Sequence, residues 1–404
     1  MGPGLTESIA KWENDLRYNF DEIIDRRGTN SLKFDFARER GLPEGLLPMW
    51  VADMDFRAPQ PVLDRLVEVA RHGIFGYTEA KDDYYQAVAD WLRRRHGYET
   101  KPQWLKKAPG VVYALAMAIR ALTKPGEGVL IQSPVYYPFT GCTLENERTL
   151  VVNQLILKDG HYEIDFEDFE RKLVEKQPRL FLLCSPHNPV GRVWTREELL
   201  TMGQLCLKHN CLVFSDEIHF DFVFPGYQHL VFGSLDPALA DIALIATAPS
   251  KTFNLAGLQN ANLFIKNPDL KNALSQEIRR SGFSQLGTLG LAAGQSAYEA
   301  GEEWLEQLLV YLKGNLDLTR EYFRAKLAPL TLIEPEGTYL LWFDCRGLGL
   351  SPREINQLII NKAGLWLDDG AMFGPGGEGF QRINIACPRK TLEEALDRLE
   401  RAIR

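Results

Sequence analysis

Apolar and polar positions alternate along the chain with two periods, one helical and one of strands. From residue 61 apolar residues recur at helical spacing, with Val62, Leu66 and Val69 on one face of 61–72 and Pro61 suited to a first turn. The same period predicts a helix over 84–96, closed by Gly97, and another over 111–122, just after Pro109-Gly110. Short apolar runs then predict strands at 128–132, 149–157, 180–184, 211–214, 241–247 and 261–265, with helices at 166–176 and 195–209 among them. Thr195 followed three residues later by Glu198 is the signature of a capping box. This alternation predicts an α/β fold, a mostly parallel central sheet flanked by helices. After about residue 300 the texture changes. A long helix over 304–327, strands at 339–343 and 382–385 and two further helices predict a smaller α+β C-terminal domain of about 100 residues, a size that folds by itself. The expected division is an N-terminal segment 1–60, a large domain 61–300 and a small domain 301–404.

Composition narrows the class. Hydrophobic residues make up 45% and charged residues 25% of the 404, which excludes a disordered or collagen-like chain. A net charge of −8 gives no general attraction to nucleic acid or to anionic membranes. No apolar run approaches the ~18 residues of a membrane span. The N-terminus lacks a basic stretch followed by an apolar one, so no signal peptide is expected. Met1-Gly2 with Thr6 matches a loose myristoylation pattern, and its context, with Pro3, favours a chance match. Cys142, Cys184, Cys206, Cys211, Cys345 and Cys387 are scattered, form no CxxC pair and sit mostly in apolar runs. That suits free thiols in a reducing compartment, and the expectation is a soluble, cytoplasmic protein.

In an open parallel sheet, ligands bind beyond the carboxyl ends of the strands. The residues that follow the predicted strands are therefore informative. They are Tyr136 after the first, Asn188 after 180–184, Asp216 and His219 after 211–214, and Lys251 after 241–247. Each has an ordinary reading alone: Asp216 as a helix cap, Lys251 as a surface lysine, Asn188-Pro189 as a turn. Together, at successive strand ends, they make an unusual set, because a lysine is costly to bury without a partner or a reaction.

Asn188-Pro189-x-Gly191-Arg192, Asp216-x-x-His219 and Ser250-Lys251 lie 28 residues apart from 188 to 216 and 35 from 216 to 251. Their order and spacing resemble the fold-type I pyridoxal 5′-phosphate enzymes of the aspartate aminotransferase superfamily. Three further stretches, Pro48-Met49-Trp50-Val51-Ala52-Asp53-Met54-Asp55-Phe56, Gly73-Ile74-Phe75-Gly76-Tyr77 and the Ala-Pro-Ser-Lys-Thr-Phe-Asn-Leu-Ala-Gly run around Lys251, resemble the cystathionine β-lyase-like C–S lyase branch. The likeness extends from about residue 18 to the end.

The resemblance implies a role for each matching residue. Lys251 is the lysine that joins the cofactor aldehyde and moves the proton at the substrate Cα. Asp216 pairs with the pyridine nitrogen and keeps the ring an electron sink. His219 stands where aminotransferases usually carry a tyrosine on the ring hydroxyl, and is assigned to orienting the aspartate or the ring. Asn188 donates to the ring oxygen and Tyr136 stacks on the ring. The phosphate falls to the backbone of Val111 and Val112 behind Gly110, to Ser250, and to Tyr77 of a neighbouring subunit, which makes a homodimer with a shared site the expected assembly. Arg382 grips the substrate α-carboxylate, with Arg389 as the alternative. The N-terminal segment is expected to pack on the small domain and the active site. Two positions depart from the aminotransferase pattern: Ala248 replaces a frequent serine and Gln259 a phosphate-binding arginine, so the phosphate is held with less charge.

The expected activity is α,β-elimination of cystathionine or cysteine-type S-conjugates, a small amino-acid substrate class, to a thiol, pyruvate and ammonia. An aminotransferase shares the same lysine and is the first rival. A pyridoxal-phosphate-binding regulatory protein without turnover is the second, disfavoured because no helix-turn-helix extension is evident. Gly374 to Gly379 suggests a flexible active-site loop more than a nucleotide loop, since no strand–helix context surrounds it. Asp53-x-Asp55 alone is weak support for a metal, and the histidines have no metal-ligand spacing, so no metal is expected.

Overall fold

The computed structural model describes residues 17–404, so the Met1-Gly2 motif and the leader expectation fall outside the described residues. A seven-stranded sheet forms the centre. Its spatial order is Leu105–Ala108, Ala261–Phe264, Ala243–Thr247, Leu212–Asp216, Leu180–Cys184, Gly128–Ser133 and Thr149–Gln154. The last five run parallel, whereas Ala261–Phe264 is antiparallel to both of its neighbours. The strands Gly128–Ser133, Leu180–Cys184 and Ala243–Thr247 are buried at every residue, as expected for strands covered on both faces. This mixed sheet is the α/β architecture that the alternation predicted. The edge strand Leu105–Ala108 escapes the pattern because its Lys106 and Lys107 break the apolar run.

Helices lie where expected, and two of them show how their ends are fixed. Phe166–Lys176 is capped by Asp165, which accepts from the Asp168 amide. Arg196–Lys208 carries the capping box, with Thr195 Oγ1 accepting from the Glu198 amide at 3.2 Å and Glu198 Oε2 accepting from the Thr195 amide at 2.8 Å.

The strand expected over 149–157 is two strands. Thr149–Gln154 stays in the central sheet, while Ile156–Lys158 folds back on His161–Glu163. The apolar run continues through Leu155 and hides the break. The signal that marks it is Asp159-Gly160, both at positive φ (51° and 79°), the two-residue turn that joins a tight hairpin.

A four-stranded sheet in the order Thr331–Leu332, Leu340–Asp344, Phe380–Asn384, Asp368–Asp369 lies toward the C-terminus, packed with the helices Glu302–Lys326 and Arg389–Ile403. The chain before residue 60 joins this unit. Leu47–Pro48 pairs in parallel with Leu365–Trp366, and the Asp55 amide donates to Ala386 O at 3.0 Å. Among the described residues no helix is long and apolar enough to cross a membrane.

Candidate active site

Register brings the strand ends together. Cys184 is opposite Asp216, and Asp216 opposite Ala246, so the segments beginning at 185, 217 and 248 leave the sheet side by side. The third becomes the one-turn helix Pro249–Thr252, with Ala248 before it and Lys251 on it.

Lys251 is half-buried, and its Nζ donates to Ala52 O at 2.6 Å. Burial pulls its pKa down to about 8. Asp53 and Asp216 oppose this, while the charge of Arg382 adds to it. An amine so placed is neutral about a tenth of the time at pH 7, far more often than an ordinary lysine, and the neutral form is what a nucleophile and base require. Asp216 is buried, and burial raises its pKa to about 7 against the Ile218 amide (3.2 Å to Oδ1) and the charge of Lys251. A buried carboxylate without a paired cation is poised to receive one.

Arg382 lies beside its cross-strand neighbour Asp368, to which its Nη2 donates. Nη1 donates to Asn188 Oδ1 at 2.8 Å and Nη2 to Trp50 O at 3.0 Å, while Nε is buried without a partner. Asn188 therefore faces the arginine from the 185–194 turn, and its own carbonyl accepts from the Tyr136 amide at 3.0 Å. Burial raises the Tyr136 hydroxyl well above its usual range. His219 is buried and kept neutral by that burial. Its ring meets Tyr339 edge-on at 5.8 Å, its Nδ1 has no partner, and no hydrogen bond joins it to Asp216.

Val111 and Val112 open the helix Val111–Leu122, whose N-cap Gly110 supplies no side-chain cap, so first-turn N–H groups remain for an anion. Val111 shares an apolar cluster with Ala248, next to Pro249 and Ser250. Tyr77 is 97% exposed and does not approach the other site residues within its own chain. Arg389 is turned elsewhere: its Nε donates to Asn315 Oδ1 at 3.1 Å and its amide to Tyr311 Oη at 2.6 Å. The glycine-rich loop is pinned rather than free, since Pro375 O accepts from Ser133 Oγ at 2.8 Å and Phe373 O from the Val135 amide at 3.0 Å.

Sequence reasoning missed how the 50–56 segment is held. Its carbonyls are taken one after another by side chains from distant parts of the chain. Trp50 O accepts from Arg382, and Val51 O and Asp53 O both accept from Asn384 Nδ2 at 2.6 Å. Ala52 O accepts from Lys251 and, at 3.0 Å, from Tyr339 Oη. Asn254, three residues after the lysine and at φ 57°, takes the Met54 amide on Oδ1 at 2.9 Å and gives Nδ2 to Met54 O at 2.9 Å and Phe56 O at 2.8 Å. Asp53 and Asp55 are each held by basic side chains. Asp55 bonds Arg26 Nη1 and Lys33 Nζ, each at 2.8 Å, and Asp53 bonds Arg26 Nη2 at 2.6 Å. Among the described residues no cluster could hold a metal ion. Another buried carboxylate, Asp221, accepts from Trp91, Arg95 and His96 and from Thr252 Oγ1 at 2.8 Å, fixing the residue next to the lysine. Only the unusual density of carboxylates in Asp216-Glu217-Ile218-His219-Phe220-Asp221 could have drawn attention to it.

These residues fit pyridoxal 5′-phosphate. A partly neutral lysine, a buried carboxylate able to pair a ring nitrogen, and an uncapped helix start for an anion lie at neighbouring strand ends of an α/β sheet. They define a fold-type I pyridoxal-phosphate-dependent enzyme. The chain belongs to the aminotransferase class I and II family, whose model matches residues 51–399. It is 42% identical to cystathionine beta-lyase PatB of Bacillus subtilis, over 95% of this chain and 100% of PatB. It is 34% identical to protein MalY of Escherichia coli, over 96% of this chain and 99% of MalY. Among solved structures, cystalysin of Treponema denticola, which contains pyridoxal 5′-phosphate, superposes with a TM-score of 0.91 at 38% identity, over 95% of this chain and 98% of cystalysin.

Proposed function

We propose that the enzyme is a C–S β-lyase that converts cystathionine or a related cysteine S-conjugate and water to a thiol, pyruvate and ammonia. Near-full-length similarity to a cystathionine beta-lyase, at 42% identity, carries this reading, and the site supports it. Bound pyridoxal phosphate supplies an electron sink conjugated to the substrate nitrogen.

The residues of the chain do the rest. Arg382 offers its buried, unpartnered Nε and an adjacent Nη to the substrate α-carboxylate, a planar match for two oxygens. That grip orients Cα toward Lys251. The neutral ε-amine takes the α-proton, and the C–S bond then breaks with its electron pair leaving on the thiolate. The same lysine, now protonated, can return a proton to that thiolate. The released enamine tautomerises and hydrolyses to pyruvate and ammonia. Asp216 would balance the ring cation, Asn188 and Tyr136 would position the ring, and Val111, Val112 and Ser250 would hold the phosphate.

The active form is a homodimer in the cytoplasm. The exposed run Ile74 (71%), Phe75 (59%) and Tyr77 (97%) supports a second copy seated there, with Tyr77 reaching the phosphate of the other chain. Six free cysteines support a reducing compartment. In this reading residues 61–300 carry the cofactor, and 301–404 with the N-terminal segment close over the substrate.

The test is pyruvate release from cystathionine with no keto acid added. Pyruvate formed catalytically supports the lyase. Turnover that requires a keto acid makes the enzyme an aminotransferase. Cofactor binding without either makes it a regulatory protein.

A further inference from the structure

We propose that Arg40 is a specificity-determining residue that receives a carboxylate on the departing thiol, so that thioether amino acids whose leaving group bears a carboxylate are the preferred substrates. This rests on the lyase reading above and names its substrate class.

Arg40 is exposed and, among the described residues, its guanidinium has no ion-pair or hydrogen-bond partner. It is nevertheless held in place. Its guanidinium lies 4.8 Å over the Trp50 ring, and Trp50 is stacked on Trp366 at 4.5 Å and 12°. A third contact, from Trp50 Nε1 to Lys33 O at 3.3 Å, fixes the indole. A long cation laid on a rigid aromatic platform has lost part of the freedom it would otherwise lose on binding a ligand.

The platform belongs to the active site. The carbonyl of the same Trp50 accepts from Arg382, the residue assigned to the α-carboxylate. Burial raises the pKa of both Asp368, the partner of Arg382, and Tyr137, the neighbour of Tyr136, and the positive charge of Arg40 is close enough to oppose the rise in each. Tyr137 (37% exposed) meets the ring of buried Phe373 at 6.2 Å, and Arg382 lies over the same ring at 4.9 Å. The two arginines differ in compensation. Arg382 pairs directly with buried Asp368, whereas among the described residues no carboxylate lies within ion-pair distance of Arg40 and Asp368 feels its charge only from farther off. Arg40 therefore places a positive charge without a direct ion-pair partner one tryptophan away from the α-carboxylate site. Cystathionine, whose departing homocysteine bears a second carboxylate, has a partner there. S-methylcysteine, whose leaving group is uncharged, has none.

The experiment compares pyruvate formation from these two substrates in the holoenzyme. Arg40→Ala is expected to raise KM for cystathionine about fivefold, the worth of one exposed charged contact, with kcat unchanged and S-methylcysteine unaffected. Arg40→Lys should restore most of the loss and Arg40→Glu should exceed it. An equal change for both substrates, or none for cystathionine, overturns the proposal. Binding supplies an arm that needs no turnover. Both amino acids are titrated calorimetrically into the cofactor-loaded Lys251→Ala protein, with and without Arg40→Ala. Selective weakening of cystathionine supports the role of Arg40 even if the wild-type enzyme releases no pyruvate, an outcome that rejects only the lyase reading. Equal affinities with and without Arg40→Ala reject the role.

Discussion

Asn254→Ala isolates the contribution of the 50–56 segment to both stability and catalysis. The side chain makes three hydrogen bonds to that segment, at 2.9, 2.9 and 2.8 Å. At about 1 kcal/mol net for each, their loss costs about 3 kcal/mol. Alanine at a φ of 57° adds about 1 kcal/mol, because its β-carbon crowds the following carbonyl where asparagine is better tolerated. The expected destabilisation is therefore about 3–4 kcal/mol, large against the few tenths typical of a surface change. Equilibrium urea unfolding of the holoenzyme reads it as a lower midpoint, followed by the fluorescence of Trp50 and the other tryptophans. Asn254→Asp makes a sharper control. It keeps the shape and the acceptor for the Met54 amide but turns a carboxylate oxygen toward the carbonyls of Met54 and Phe56. At pH 7 it should be at least as unstable as the alanine variant. Catalysis should fall further than cofactor affinity, because Asp216, Val111 and Ser250 lie outside the segment. An alanine variant within about 0.5 kcal/mol of wild type would refute the clamp.

Lys251→Ala should abolish turnover with the fold intact, and borohydride reduction of the wild-type holoenzyme followed by peptide mapping should label Lys251 alone. With the Lys251 pKa near 8, capture of pyridoxal phosphate by the cofactor-free protein should accelerate as pH rises through about 8, since only the neutral amine attacks an aldehyde; a rate flat from pH 7 to 9 contradicts the assignment. Asp216, with its folded pKa raised to about 7, favours the folded cofactor-free protein below its unfolded pKa of about 4 and loses that contribution as pH rises through 7. Asp216→Asn should accordingly make the cofactor-free protein more stable than wild type at pH 8 in urea unfolding, with less gain at pH 5, while cutting activity by orders of magnitude. Tyr77→Asp mixed with Lys251→Ala should recover up to half of the active sites in exchanged dimers, because one hybrid site carries both defects and the other neither; verified hybrids without activity would place Tyr77 outside the partner's site.

The parts of the site that sequence revealed share a physical property. Each follows a run of apolar residues long enough to be a buried strand, so Asn188, Asp216 and Lys251 could be placed at neighbouring ends without knowing the sheet order. The register of Cys184, Asp216 and Ala246 then follows from strand pairing. What stayed hidden depends on contacts between residues far apart in sequence. Asn254 and Asn384 are ordinary polar residues until the backbone of 51–56 lies against them. Asp368 gains its meaning only across a strand from Arg382. Asp53 and Asp55 were weighed for metal chemistry because the pattern shows the carboxylates and not Arg26 and Lys33. Arg389 sits seven residues from Arg382, close in sequence, yet a turn into the helix Arg389–Ile403 aims it at Asn315.

The pairing of Leu47 with Leu365 has a consequence for how the enzyme is made. The partner strand is translated 318 residues after the first, and Arg382 and Asn384, which hold the intervening segment, come later still. At roughly 5–20 residues per second, the early segment leaves the ribosome about 15–60 s before anything exists for it to pair with. The central sheet can assemble in that interval, since its strands end with Ala261–Phe264. The lysine is thus in place before its roof. A nascent chain halted before residue 380 should process no amino acid, so catalysis begins only when synthesis is nearly complete.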